Sequence, residues 1–285
     1  MLDAIRSPPI RFYDNFVDKA VDERLRLEKA SKSDPQNSKI REDMFHFIYN
    51  AKNPEEPTLT AFSDHDMIGE VKLLLVAGSD STSVTMSGLL YYLSHYPEVL
   101  AKLRHEVTST FPVAEAISVG PKLSSCKYTR ACIDEAMRMC PAGTSELPRE
   151  VLPGGIRIDN EFYPAGTVVG TARWADGYNT EVYGRDARVF RPERWIADAG
   201  NSPEDVLRLK AAFQPFSQGP FNCAGMNFAM QELMLMVAKT VHRLEFRLAP
   251  GYEQAKGENV PLFQLRDAYI SVKDGPMMQF RRRLS

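Results

Sequence analysis

The sequence predicts a mainly α-helical protein with small β-sheets, and three observations predict it. No proline occurs between Pro57 and Pro97, and Met226 to Ala249 is a second proline-free, apolar-rich stretch. Unbroken stretches of that length read as helices rather than strands. Between Leu147 and Thr171 the period changes. There Ile156-Arg-Ile158 and Thr167-Val-Val-Gly-Thr171 read as short strands, with turns at Pro153-Gly-Gly155, Asp159-Asn160 and Pro164-Ala-Gly166.

The elements follow in order. Residues 11–31 set Phe12, Phe16, Val17, Ala20, Leu25 and Leu27 against many charges, an amphipathic helix. Ser31 to Ser38, with Asp34-Pro35, reads as a loop, and Ile40 to Ala51 as a second helix ended by Asn53-Pro54-Glu55-Glu56-Pro57. Ser63-Asp-His-Asp66 is a capping box opening the longest helix. In its middle, Ala77-Gly-Ser-Asp-Ser-Thr-Ser83 packs glycine, an acid and four hydroxyls between the apolar runs Leu73–Ala77 and Leu89–Leu93. These are poor helix formers whose hydroxyls compete for carbonyls one turn back, so a buried polar kink is expected there. Pro97 to Val107 and Lys122 to Cys140 are further helices; on the second, Glu135 and Arg138 share a face. Residues 176–215 read as a meandering loop, and Ala268–Val272 with Met277–Arg281 as a hairpin around Lys-Asp-Gly-Pro.

Composition narrows the function. At 285 residues, 44% hydrophobic and 25% charged, the chain has the make-up of an ordinary soluble globular protein. A net charge of −2 points to no nucleic acid. The longest aliphatic run, Leu73 to Ala77, is far short of a membrane span, and residues 1–15 hold Asp3, Arg6, Arg11 and Asp14 instead of a signal-peptide core. As written, the polypeptide is expected to be soluble, cytosolic and intracellular. Cysteines 126, 132, 140 and 223 form no C-x-x-C pair, which argues against zinc and for reduced thiols.

One cysteine stands apart. Cys223 lies in Phe216-Ser-Gln-Gly-Pro-Phe-Asn-Cys-Ala-Gly225, just before the helix expected over 226–249, which is apolar enough to be buried. Free amide donors and the positive end of a helix dipole favour a thiolate there. Gly219 and Gly225 leave room for something flat and large close to the backbone. A soft anionic sulfur in a glycine-lined turn suits an iron porphyrin as axial ligand. An isolated cysteine beside a buried helix is ordinarily a packing residue; the frame around this one is more specific.

Phe216, Gly219, Cys223 and Gly225 are spaced as in F-x-x-G-x-x-x-C-x-G, which resembles the heme-binding signature of the cytochrome P-450 (heme-thiolate) family. Three further motifs stand in the family's order. Ala77-Gly78-x-Asp80-Ser81-Thr82 is similar to the oxygen-activation motif of its long central helix, Glu135 and Arg138 match its E-x-x-R, and Phe190-Arg-Pro-Glu-Arg-Trp195 supplies the arginine, Arg194, that completes a buried triad in relatives. The resemblance is closest to fungal members. It implies the C-terminal part of the P-450 fold: long central helix, E-x-x-R helix, cysteine loop with its following helix, and β-hairpins. It also implies a single domain over residues 1–285 that lacks the N-terminal portion and membrane anchor of relatives.

The same resemblance implies a set of roles. Cys223 would be the iron ligand, with Phe216, Gly219, Gly225, Ala77 and Gly78 against the heme and Arg149, in Leu-Pro-Arg-Glu, on a propionate. Asp80 with Ser81 or Thr82 would relay protons to dioxygen. One oxygen atom of O2 would enter an apolar small molecule of fungal secondary or xenobiotic metabolism, with electrons from an NADPH-dependent reductase. Ser145–Val151 and the tip near Asp274 would face the substrate. Full-length relatives sit in the endoplasmic reticulum membrane, so membrane contact is expected only through an anchor missing here. Two residues depart from the family: Ser81 stands where most relatives carry threonine, and Phe221 where they carry a base that pairs with a propionate. Two other readings are a non-catalytic remnant without stable heme and a heme-thiolate isomerase or dehydratase. Relatives of the latter kind tend to lose the distal alcohol that Ser81 and Thr82 keep.

Overall fold

A computed structural model describes residues 8–33, 41–197, 200–252 and 259–283. They divide into two compact units, Met1–Ser79 and Asp80–Ser285.

In the first unit, helix α1 (Pro8–Ser33) turns Val17, Val21 and Leu25 onto Tyr49 and Met67, and these five form its core. Helix α2 is shorter than expected, Met44–Tyr49, because Asp43 caps it: the His46 amide donates to the Asp43 carboxylate. The loop expected at Asp34-Pro35 lies outside the described residues. Buried Glu28 takes an ion pair from Arg24 at 3.2 Å and faces His46 Nδ1 at 3.0 Å, which offsets the cost of an enclosed carboxylate. Helix α3 (Asp64–His95) opens on the expected capping box, with the Ser63 amide donating to Asp66 at 2.8 Å and the Asp66 amide to Ser63 Oγ at 3.2 Å.

Helix α3 is continuous through residues 77–83, so the poor helix formers there do not end it. The hydroxyls do bond backward as expected, Ser79 to the Leu75 carbonyl at 2.6 Å and Ser83 to the Asp80 carbonyl at 2.8 Å. They do so as second donors, and the α-helical pattern is kept. By length and mean hydropathy α3 is also apolar enough to cross a membrane, which a count of uninterrupted aliphatic residues missed. From Val84 onward, however, its apolar face (Val84, Leu89, Tyr92, Leu93) is buried in a protein core.

Helices α4 (Pro97–Thr110), α5 (Pro121–Ser124) and α6 (Lys127–Met139) follow. The single helix expected over 122–140 is broken because the Ser124 and Ser125 hydroxyls bond the Gly120 and Lys122 carbonyls, ending α5. Helix α6 is buried along nearly its whole length. Gly88 lets α3 approach it: a Cβ there would lie 2.5 Å from Cys140 Sγ.

Strands β1 (Arg149–Glu150), β2 (Ile156–Ile158), β3 (Glu161–Tyr163) and β4 (Val168–Val169) form two antiparallel pairs, β1 with β4 and β2 with β3. The β2–β3 turn uses Asp159 and Asn160 at φ of 49° and 69°, a left-handed pair those side chains tolerate. Short helices α7 (Arg173–Asp176) and α8 (Thr180–Tyr183) precede a 3₁₀ turn at Pro192–Trp195. Helix α9 (Pro203–Ala212) then corrects the expectation of a loop: Ser202 caps it, with proline and two acids in its first turn.

Helix α10 (Met226–Arg243) ends before the expected Ala249, and Leu244–Leu248 is strand β5. Strands β6 (Leu265–Arg266) and β7 (Val272–Lys273) pair with each other, while β8 (Met278–Arg282) pairs with β5 over five residues. The expected hairpin of 268–272 with 277–281 is therefore absent; a five-residue ladder with β5 takes its second arm.

Candidate functional site

One buried carboxylate, Glu135, ties helix α6 to the 191–195 segment of the second unit. Glu135 Oε1 accepts from Arg138 Nη2 at 2.8 Å, from Arg194 Nε at 2.9 Å and from the Arg191 amide at 2.9 Å. Its Oε2 accepts from Arg138 Nε at 2.8 Å and Trp195 Nε1 at 2.9 Å. Both arginines reach onward to carbonyls, Arg138 to Ala187 at 2.7 Å and Arg194 to Tyr183 at 2.9 Å. Burial alone would push the Glu135 carboxyl upward, but Arg138 and Arg194 hold it down at about 2. Gly177 admits this crowding, since a Cβ there would lie 2.4 Å from the Arg138 carbonyl oxygen. The role of Arg194 as third member agrees with the sequence motif; Trp195 and the Arg191 amide were not singled out from sequence.

The Cys223 loop is folded back on itself. The Cys223 amide donates to the Phe216 carbonyl at 2.8 Å, and the Asn222 amide to Gly219 at 3.0 Å. Phe216 is half-buried and packs on the main core, which ties the loop's start to the scaffold. Gly219 sits at φ 64°, the left-handed conformation that favours glycine, and a Cβ there would meet nothing within 4 Å. Gly225 has an ordinary φ of −82°, and a Cβ there would make an ordinary contact with Cys223 Sγ at 3.8 Å. Helix α10 starts at Met226, whose amide bonds the Cys223 carbonyl at 3.3 Å.

The four thiols divide sharply. Cys126, Cys132 and Cys140 are buried, and burial pushes each of them above the ordinary thiol range. Cys223 alone is exposed. Around it Phe221 and Phe228 are 64% and 63% exposed, an apolar surface beside a thiol. Helix α10 is thus not buried on every side as expected; Phe228 and Met236 lie on an open face.

Arg149 is brought to this loop from β1. Its guanidinium carbon lies 4.3 Å from the centre of the Phe221 ring, and Nη1 donates to the Pro148 carbonyl at 2.9 Å. Among the described residues no carboxylate pairs with Arg149, and no hydrogen bond uses its Nε or Nη2. Arg173, at the start of α7, bonds the Gln214 carbonyl where the loop begins. Burial lowers its guanidinium below the usual arginine value; Asp176 opposes this and the like charge of Arg149 adds to it. Nothing in the sequence marked Arg173.

On α3, Asp80 is exposed, Ser81 half-buried and Thr82 buried. Ala77 and Gly78, the last turn of the first unit, are exposed as well. The expectation of a buried polar interior fails for Ala77–Asp80, which are exposed between buried Met67 and buried Thr82. Thr85 Oγ1 bonds the Ser81 carbonyl at 3.4 Å. Lys273 of β7 donates to Ser83 Oγ at 2.8 Å across 190 residues of sequence, a contact no local pattern could announce.

A heme asks for one sulfur, a flat apolar seat and a cation at its carboxylate edge. The loop offers an exposed thiol, open space over Gly219, two exposed phenylalanines and an arginine with an open edge, so the residues fit. Among the described residues no three His, Cys, Asp or Glu side chains gather as a metal centre.

Residues 4–271 match the family model for cytochrome P450. The chain is 37% identical over 267 residues to cytochrome P450 monooxygenase apf7 of Gibberella fujikuroi, covering 91% of this chain and 50% of that protein. It is 34% identical over 281 residues to cytochrome P450 monooxygenase fscF of Fusarium equiseti, covering 96% and 52%. The chain thus spans about half the length of the curated relatives it matches. In fold it is similar to the crystal structure of the cytochrome P450 CYP102L1, with a TM-score of 0.72, 23% identity, 96% of this chain and 56% of that one. The chain belongs to the cytochrome P450 family, whose members bind heme.

Proposed function

We propose that this chain carries the thiolate site of a heme monooxygenase, acting on an apolar small molecule in fungal secondary metabolism. The observation that carries it is the exposed Cys223 in a loop closed by Phe216 and backed by α10, with an open arginine beside it. Cys223 would donate the axial sulfur, which no neutral oxygen can replace as a soft anionic ligand. Phe216 would brace the loop, and Gly219 and Gly225 would keep bulk away from the cofactor. Arg149 would bind a propionate through its open Nε and Nη2 edge. When bound, the heme supplies iron for activating dioxygen, so that one oxygen atom enters the substrate and the other leaves as water. On α3, the Asp80 carboxylate together with the Ser81 or Thr82 hydroxyl would relay protons to the reacting oxygen. An NADPH-dependent reductase would supply the electrons.

The test is spectroscopic. Wild-type chain titrated with hemin, reduced and exposed to carbon monoxide should give the red-shifted Soret band of a thiolate-ligated heme. Cys223→Ser should lose that band, and Cys126→Ala, Cys132→Ala and Cys140→Ala should keep it. An unchanged band in Cys223→Ser would sink the assignment. Asp80→Asn should take up hemin normally yet uncouple NADPH consumption from product when assayed with a reductase.

A further inference from the structure

The residue two positions before Cys223 is a phenylalanine, and it is 64% exposed. What lies on its face is a guanidinium. Arg149 stacks 4.3 Å from the Phe221 centroid, well inside the range in which a cation is attracted to an aromatic face. Its Nη1 is anchored on the Leu147 and Pro148 carbonyls at 3.4 and 2.9 Å. Ring and carbonyls together fix the plane of a side chain that otherwise has several free rotors. The Nε–Nη2 edge is left without a partner among the described residues, and that edge matches a carboxylate bidentately. Phe221 is itself held, because it closes the 3₁₀ turn Gly219–Phe221 whose end is pinned by the Asn222 and Cys223 amides.

We infer that Phe221 is a positioning residue: its ring holds Arg149 so that the open edge of the guanidinium receives a heme propionate beside Cys223. A residue without charge would thus serve propionate binding by orienting a charge delivered from β1. The inference rests on the heme reading above and adds to it that the two residues act as one unit.

The measurement is the rate of hemin transfer from the loaded chain to excess apomyoglobin, for the wild type, Phe221→Leu, Arg149→Ala and the double variant. Removing the ring face while keeping an apolar side chain should speed hemin loss about two- to fivefold, the size of an exposed cation–π contact. In the Arg149→Ala background the same replacement should change the rate by much less, because the pair is then already broken. Phe221→Tyr keeps the aromatic face and should restore the wild-type rate. Equal acceleration by Phe221→Leu in both backgrounds, or no acceleration in either, would show that the ring merely packs, and would overturn the inference while leaving heme binding intact. A wild-type chain that takes up no hemin would overturn the heme reading and this inference together. Both side chains lie at the surface, so the variants should unfold in denaturant at the wild-type midpoint.

Discussion

Arg138 and Arg194 use their donors inside the protein, whereas Arg149 keeps one edge of its guanidinium open. The first two share a buried carboxylate with an indole and a backbone amide, and their remaining nitrogens reach carbonyls of the 177–189 segment. The third lies on an exposed ring, tied only to carbonyls of its own strand entry. A polar group that is fully partnered is structural, and breaking it exposes the cost of enclosing a charge. A polar group left half-partnered at the surface costs little in water and is available to a ligand. Burial and partnering separate the framework of this unit from its binding surface.

That contrast can be broken by mutation, first where the effect should be largest. Glu135→Ala leaves the enclosed Arg138 guanidinium without a counter-charge and Arg194 with only its 3.4 Å pair to Asp186, and should destabilise the unit by about 3–5 kcal/mol, read as loss of the cooperative denaturant transition or of soluble protein. Acid attacks the same point more gradually. The Glu135 carboxyl is lowered from 4.5 to about 2, so its contribution is complete above pH 4.5 and is lost as pH falls through about 2. Stability followed by circular dichroism should decline by on the order of 3 kcal/mol across that window from this group; a chain equally stable at both ends would contradict the account. Gly177→Ala drives a methyl into the Arg138 carbonyl and should cost about 1–3 kcal/mol. Cys223→Ser marks the other side of the comparison. An exposed side chain that the framework does not use should shift stability by less than about 0.5 kcal/mol, even as every thiolate feature of the hemin spectrum disappears.

What the sequence made legible followed the range of the interactions. The cysteine loop could be read because its parts lie within ten residues, and the capping box at Ser63 because its two bonds span three. Glu135 and Arg138 lie one turn apart on α6, and Arg194 followed from a motif. Helix α9 is legible at its start in Ser202-Pro203-Glu204-Asp205, inside a segment with few other regular elements. The alternation Leu244-Glu245-Phe246-Arg247-Leu248 likewise reads as a strand, yet it was absorbed into the preceding helix. The pairing of β5 with β8 carries no local signal, which is why a nearer hairpin was expected instead. The same holds for Arg149 on Phe221 and Lys273 on Ser83, contacts made only once the chain has folded. Exposure of Ala77–Asp80 was missed because apolar flanks show that a helix is suited to burial, not that something covers it.

Two tyrosines on α3 set a schedule for the newborn chain. Tyr91 donates its hydroxyl to the Pro261 carbonyl at 2.8 Å, and Tyr92 accepts from the Phe263 amide at 3.2 Å, across 170 and 171 residues. Val260 and Phe263 belong to the same core as Leu89, Leu93 and Ile133. That core cannot close until residues near 263 have left the ribosome, roughly 10–30 s after α3 at ordinary elongation rates. In the interval α3 carries buried-type residues with no permanent cover, and chaperones that hold apolar segments have that window in which to act.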